Sequence, residues 1–211
     1  MQAKTLFYTL TILLVLMVVT ISESCSKTNF DERIFYVNNI LGSDSNDGAT
    51  PESAWKTLEH ASIRNYSAGD KLLLCNGCTF LSKLELSGGG SQNDPVIVSN
   101  YDPGNGETAL PIIDAKGYIA AIQISNSRNF EISNLELTSN AGSPKEGDAL
   151  KKRFGVLVTA NLPGNYSNIL LKKLNIHHIY STKSVSSGGQ NPTSNMGMGI
   201  SINMQNKNAR I

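Results

Sequence analysis

"AIQISNSRNFEISNLELTS", Ala121 to Ser139, is the stretch that decides how this chain folds. It aligns with "GVLVTANLPGNYSNILLKKLNIHH", Gly155 to His178. Ile122 and Ile124 fall on Val156 and Val158. Asn129, Ile132, Leu135 and Leu137 then fall on Asn168, Leu171, Leu174 and Ile176. The second copy carries five extra residues, "LPGNY", in its first turn, and a third copy opens at "GISI", Gly199–Ile202. Apolar and polar residues alternate within each copy, the two-residue period of a strand with one buried face. A unit of short strands that repeats together with its turns marks a stacked β-solenoid. A β-sandwich accounts for the strands but not for turns that line up. Parallel, in-register stacking pairs every strand with its copy above and below. It also sets Asn168 beside Asn129, where side-chain amides form a ladder. The expected fold is therefore all-β, a solenoid of stacked parallel strands.

The same pattern extends toward both ends of the chain. Short bursts such as "RIFYV", "KLLL", "KLEL" and "PVIV" precede the repeat, separated by Asn, Gly, Ser and Asp. About three coils are expected by this reading. The closing "GISINMQNKNARI" opens a coil without a capping element, so truncation at the C-terminus is expected. On the N-terminal side, "GSDSNDG" (Gly42–Gly48) is acidic but lacks calcium-loop spacing, because Asp47 and Gly48 come one residue too early. It reads as a tight turn. Thr50 then suits a helix cap and Pro51 a first helical position, with Ala54, Trp55, Leu58 and Ala61 along one face. A short capping helix carrying the single tryptophan would cover the open end of the first coil.

Residues 1–24 have the form of a secretory signal: Lys4, an apolar run from Leu6 to Ile21, then small and polar residues. That run, about 16 residues, is short of the roughly 20 a spanning helix needs. Ser22 and Ser24 before Cys25 suit an ordinary signal peptidase, and "SESCSK" also suits a lipoprotein junction with Cys25 lipidated. The protein is expected to be exported, either secreted or held as a periplasmic or outer-surface lipoprotein whose only membrane contact is that anchor. Residues 25–33 read as a linker and 34–211 as the β-helix, with its N-terminal cap over 34–70 and coils over 71–211. Net charge is +1, which gives no basis for nucleic-acid binding. Cys75 and Cys78 form one CxxC; zinc would need two further ligands, so a local disulfide or two packed thiols is expected.

Two long polar insertions follow equivalent points of the repeat: "TSNAGSPKEGDALKKR" after Leu137 and "HHIYSTKSVSSGGQNPTSNMGM" after Ile176. Leaving from one side, they would wall a groove suited to an extended polymer. With Leu174 and Ile176 inward, Asn175 and His177 point outward. His177 is then a candidate proton shuttle. Arg153 and Lys152, at the exit of the first insertion, are candidate catalytic cations for a uronate carboxylate. Asn175 and Tyr180 are candidate substrate contacts, with Tyr166 a second exposed aromatic. Glu146 and Asp148 are secondary candidates as metal ligands or as a hydrolase carboxylate pair. His178 is expected at the turn or core edge in a structural role.

The order "FYVNNILGSDSNDGATPESAWKTLEHAS", "AGDKLLLCNGCTF", "PVIVSNYDPGNGETALPIIDA" resembles the N-terminal half of secreted right-handed parallel β-helix proteins of the pectin-lyase-like superfamily. The resemblance runs from Phe35 to the end. "NFEISNLELT", "RFGVLV" and "LNIHHI" resemble features of one branch, which often carries His-Asp where this chain has His177-His178. The resemblance implies carbohydrate chemistry by a polysaccharide lyase or glycoside hydrolase, with Ca as a possible cofactor. The combined expectation is a monomeric, exported polysaccharide-processing protein, a lyase on an acidic polysaccharide. The alternatives are a glycoside hydrolase or a noncatalytic carbohydrate-binding or adhesive solenoid.

Overall fold

The computed structural model describes residues 32–139, 143, 145, 152–180 and 196–210. The elements run in the order β1 (Ile34–Val37), α1 (Leu58–Ser62), β2 (Asn65–Tyr66), β3 (Lys71–Cys75), β4 (Thr79–Phe80), β5 (Leu84–Gly88), β6 (Val96–Tyr101), β7 (Ile112–Asp114) and β8 (Ala120–Ser125). They continue with β9 (Phe130–Ser139), β10 (Lys152–Ala160), β11 (Gly164–Asn165), β12 (Ile169–Ile179), β13 (Met196–Met204) and β14 (Ala209–Arg210). Every pairing among these strands is parallel. The architecture is the expected parallel β-helix.

Each turn of the helix builds three walls in succession. The first wall stacks β1, β3, β6 and the leading halves of β9 and β12; the second stacks β4, β7 and the trailing halves of β9 and β12. The third stacks β2, β5, β8, β10 and β13. Four turns follow the cap among the described residues, one more than the repeat alone suggests. The inward residues form continuous columns. Phe35, Leu72, Val98, Ile132 and Leu171 sit on successive rungs of the first wall. Leu84, Ile122, Val156 and Ile200 do so on the third. The repeat alignment is thus the physical register: Ile122 and Ile124 pair with Val156 and Val158, and Leu135 and Leu137 with Leu174 and Ile176.

Turning between walls without a loop requires single residues in the left-handed region. Asn129 and Asn168 take φ of 55° and 62°, and Asn134 and Lys173 take 56° and 52°. Asparagine tolerates this conformation better than most side chains. The expected amide ladder is present: Asn168 Nδ2 donates to Asn129 Oδ1 at 2.9 Å, and Asn129 Nδ2 donates to the Gly90 carbonyl at 2.7 Å. A second corner repeats the device, with Asn100 Nδ2 donating to Asn76 Oδ1 at 2.7 Å. Cys75 and Cys78 are joined by a disulfide that spans this same corner of the first turn.

The capping helix exists but begins later than expected. It is α1, with Thr57 and not Thr50 as its cap; Thr57 Oγ1 accepts from the His60 N–H at 3.1 Å. Residues Thr50 to Ser53 form a turn instead, held by Asp47, which accepts from the Ser53 hydroxyl at 2.7 Å and the Ala49 N–H at 2.9 Å. Trp55 is extended and bridges to Val37. Its indole is buried, stacks on Phe35 at 5.0 Å, and donates to the Asn46 carbonyl at 3.1 Å. Gly48 lies against that ring at φ 74°, where a Cβ would come within 2.5 Å of the indole. The acidic stretch is therefore internal scaffolding. Asp44 accepts from the Lys56 and Thr57 N–H groups and the Thr57 hydroxyl at 2.8, 3.0 and 2.8 Å.

Partial burial disfavours the Asp44 charge, but the bonds from Thr57 and Lys56 outweigh it and hold the carboxyl below the usual carboxylate range. A lowered pKa stabilises the fold above the unfolded value and loses that contribution as pH falls through the folded one. Asp44→Asn, which replaces a charged acceptor by a neutral one, is expected to cost about 1 kcal/mol at neutral pH. In urea titrations its deficit against the parent should shrink in acid, and a constant deficit would show that the charge is irrelevant. Trp55→Ala is expected to cost about 3–5 kcal/mol, and an unchanged unfolding midpoint would mean that the indole does not close the first coil.

Candidate functional site

The outward side of the second wall carries the polar residues that a site requires. Ile112, Glu136 and Asn175 occupy successive rungs of one column, and Asp114, Thr138 and His177 occupy the next. The expected outward setting of Asn175 and His177 holds, because Leu174 and Ile176 pack against the core on the other side of β12. Glu136, which the sequence did not single out, ties the upper rung together. Its Oε1 lies 3.0 Å from His177 Nε2, and its Oε2 accepts from Asn175 Nδ2 at 3.3 Å.

His178 departs from the expected structural role at the core edge. His177 pairs with Thr138 and Ile179 with Ser139, so His178 is the extra residue of a β-bulge. Its φ of 52° turns it out of the alternation, and it is exposed beside His177. The two rings meet edge to face at 4.7 Å, with Nδ1 facing Nδ1. Tyr180 packs edge-on to His178 at 5.8 Å and is 52% exposed. Tyr166 is held aside, its hydroxyl donating to the Pro163 carbonyl at 3.2 Å.

Arg153 does not reach the surface. It is fully buried within β10, and burial pushes its guanidinium below the ordinary arginine range while the Asp114 carboxylate pulls it back. Counting back from Val156 by simple alternation would point Arg153 outward. Gly155, however, drops out of the ladders to both neighbouring strands, and a Cβ there would come within 2.4 Å of the core residue Ile176. Gly155 and Val156 both face inward, and Arg153 shares the Gly155 side. Lys152, one residue earlier, is exposed.

Both insertions are rooted at the corner between the second and third walls, one between β9 and β10 and the other between β12 and β13. Glu146 and Asp148, and Cys25, lie outside the described residues. No cluster of three or more metal-ligating side chains occurs among the described residues. A cleft of about 350 Å³ opens on the first wall between Gln92, Pro95, Glu131 and Leu170. Its one carboxylate, Glu131, is paired with Lys172 at 2.6 Å.

No family model matches the chain, and no curated protein matches it. Solved structures do. The fold is shared with GH136 lacto-N-biosidase from Eubacterium ramulus. Its selenomethionine crystal structure superposes with a TM-score of 0.63 at 24% identity, covering 82% of this chain and 30% of the enzyme. The native crystal structure gives 0.63 at 22% identity, covering 82% and 31%. The chain thus spans about a third of that enzyme's length, and the likeness is one of fold.

Removing the buried guanidinium leaves a cavity within β10, so Arg153→Ala should lower stability by about 3–5 kcal/mol. Denaturant unfolding measures this directly; a loss below about 1 kcal/mol would contradict the buried placement.

Proposed function

We propose that this chain is an exported carbohydrate-processing β-helix protein that hydrolyses glycosidic bonds, with the outer surface of the second wall as its reacting surface. The observation that carries the reading is the cluster of Glu136, Asn175, His177, His178 and Tyr180 at the corner where both insertions are rooted. Hydrolysis requires a proton donor at the leaving oxygen and a proton acceptor at the attacking water. This wall supplies carboxyl and imidazole groups for both, and Tyr180 offers an aromatic surface to a sugar ring. The shared fold with a GH136 lacto-N-biosidase supports glycan chemistry in general, and kinship to pectin-lyase-like proteins remains part of the proposal.

Elimination at an acidic sugar is less well supported. It calls for a cation on the uronate carboxylate, and of the two candidates Arg153 is buried, which leaves Lys152 alone. Export rests on the signal-like residues 1–24 and agrees with the Cys75–Cys78 disulfide, which an oxidising compartment preserves. Lipidation of Cys25 would hold the domain at a membrane surface. The exposed Tyr180 also suits a second reading, carbohydrate binding without turnover.

A panel of acidic polysaccharides and lacto-N-biosyl glycosides separates these readings. Hydrolysis should release new reducing ends without the ultraviolet absorbance of an unsaturated uronate. Appearance of that absorbance would restore elimination, and measurable binding with no product from any glycan would favour the binding role. Tyr180→Ala should weaken glycan affinity in either a hydrolase or a binder.

A further inference from the structure

Both ring nitrogens of His177 are engaged, and the partners differ in kind. Nε2 lies 3.0 Å from a carboxylate oxygen of Glu136, while Nδ1 faces Nδ1 of His178. A carboxylate only accepts, so the His177 proton sits on Nε2. His177 Nδ1 is then a lone pair, and it can meet His178 Nδ1 favourably only if that nitrogen carries a proton. His178 Nε2 is left with the free lone pair. His178 is exposed and packs against Tyr180, so this is the imidazole nearest an incoming ligand.

We propose that Glu136, His177 and His178 form a relay that presents His178 Nε2 as the proton acceptor of the second wall. The inference rests on the reading of that wall as the reacting surface. In the step it supports, the O–H bond of a water or sugar hydroxyl lying against Tyr180 breaks and an N–H bond forms at His178 Nε2. The oxygen keeps the electron pair and His178 becomes an imidazolium. That cation strengthens the Nδ1–H bond to His177, whose Nε2–H remains on the Glu136 carboxylate. The negative charge of Glu136 thus offsets the positive charge on His178 without touching the ligand. His178 is the catalytic residue of the relay; His177 and Glu136 are positioning residues. Asn175 holds the second oxygen of Glu136, and Thr138 separates His177 from Asp114 on the rung below.

The β-bulge makes this arrangement possible. Regular alternation would send adjacent residues to opposite sides of the sheet. One extra residue in the left-handed region brings both imidazoles to the outer side.

Tautomers test the relay without any substrate. In the 15N-labelled full chain, above the histidine titration range, two-bond proton–nitrogen spectra should show His177 as the Nε2–H form and His178 as the Nδ1–H form. Free histidine favours Nε2–H, so His178 carries the diagnostic signal. Single His→Gln variants assign the resonances, and circular dichroism checks their folding. Glu136→Ala should return His178 to the ordinary Nε2–H form, and Glu136→Gln, which keeps the acceptor oxygen and the side-chain volume, should preserve most of the lock. An Nε2–H His178 in the parent protein, or identical tautomers after Glu136→Ala in a folded chain, would overturn the relay. On a glycan that is turned over, His178→Ala should reduce kcat about 10²- to 10⁴-fold, while His177→Ala should cost less and shift the pH profile. Equal, small losses from both would also overturn it. Expected tautomers with no turnover of any glycan would leave the relay standing and remove the hydrolase reading instead.

Discussion

Everything in this molecule depends on keeping each strand directly above its predecessor. A parallel ladder has no hairpin to fix its register, so register is held by side chains that fit only one way. Inward columns such as Leu84, Ile122, Val156 and Ile200 supply the apolar part. The corners supply the polar part, with left-handed asparagines whose amides bond from one turn to the next. A slip by one residue would turn the apolar columns toward solvent and separate the amides together.

Because register is rigid, outward residues are placed as firmly as inward ones. Glu136 reaches both Asn175 and His177 because the pairing of β9 with β12 sets Asn175 directly above it and His177 two residues along. A site built on such rungs needs no loop to orient it. The N-terminal cap works by the same economy: Asp44 and Asp47 spend their carboxylates on backbone N–H groups and hydroxyls.

The repeat was legible because its turns recur with its strands, and it gave the register of β8, β9, β10 and β12 residue by residue. The two earlier turns were harder to see. Between β6 and β7 the first and second walls are separated by residues 102–111, which break the period. The helix start was misplaced because Thr50-Pro51 has the local chemistry of a cap. Trp55, four residues on, is instead held extended by its bridge to Val37. His178 and Arg153 were placed differently for separate reasons. His178 is itself the extra residue of a bulge in β12, and alternation cannot be counted through it. Arg153 was singled out by its position at the exit of an insertion, which does not fix where its side chain points, and Gly155 beside it leaves the ladders of β10. Glu136 carried no signal of its own. It reads as any outward strand glutamate until the register sets it under Asn175.

The column of corner amides has a direction. Asn168 gives its N–H to Asn129, and Asn129 gives its own to Gly90, so the dipoles run head to tail down the stack. Reversing one amide would set oxygen against oxygen on one side and hydrogen against hydrogen on the other. Each member is therefore fixed by its neighbours, and each bond polarises the next. A chain built this way favours the addition or loss of a whole turn over the loss of part of one. In an evolving gene, the natural unit of insertion or deletion is the stretch from one corner asparagine to the next.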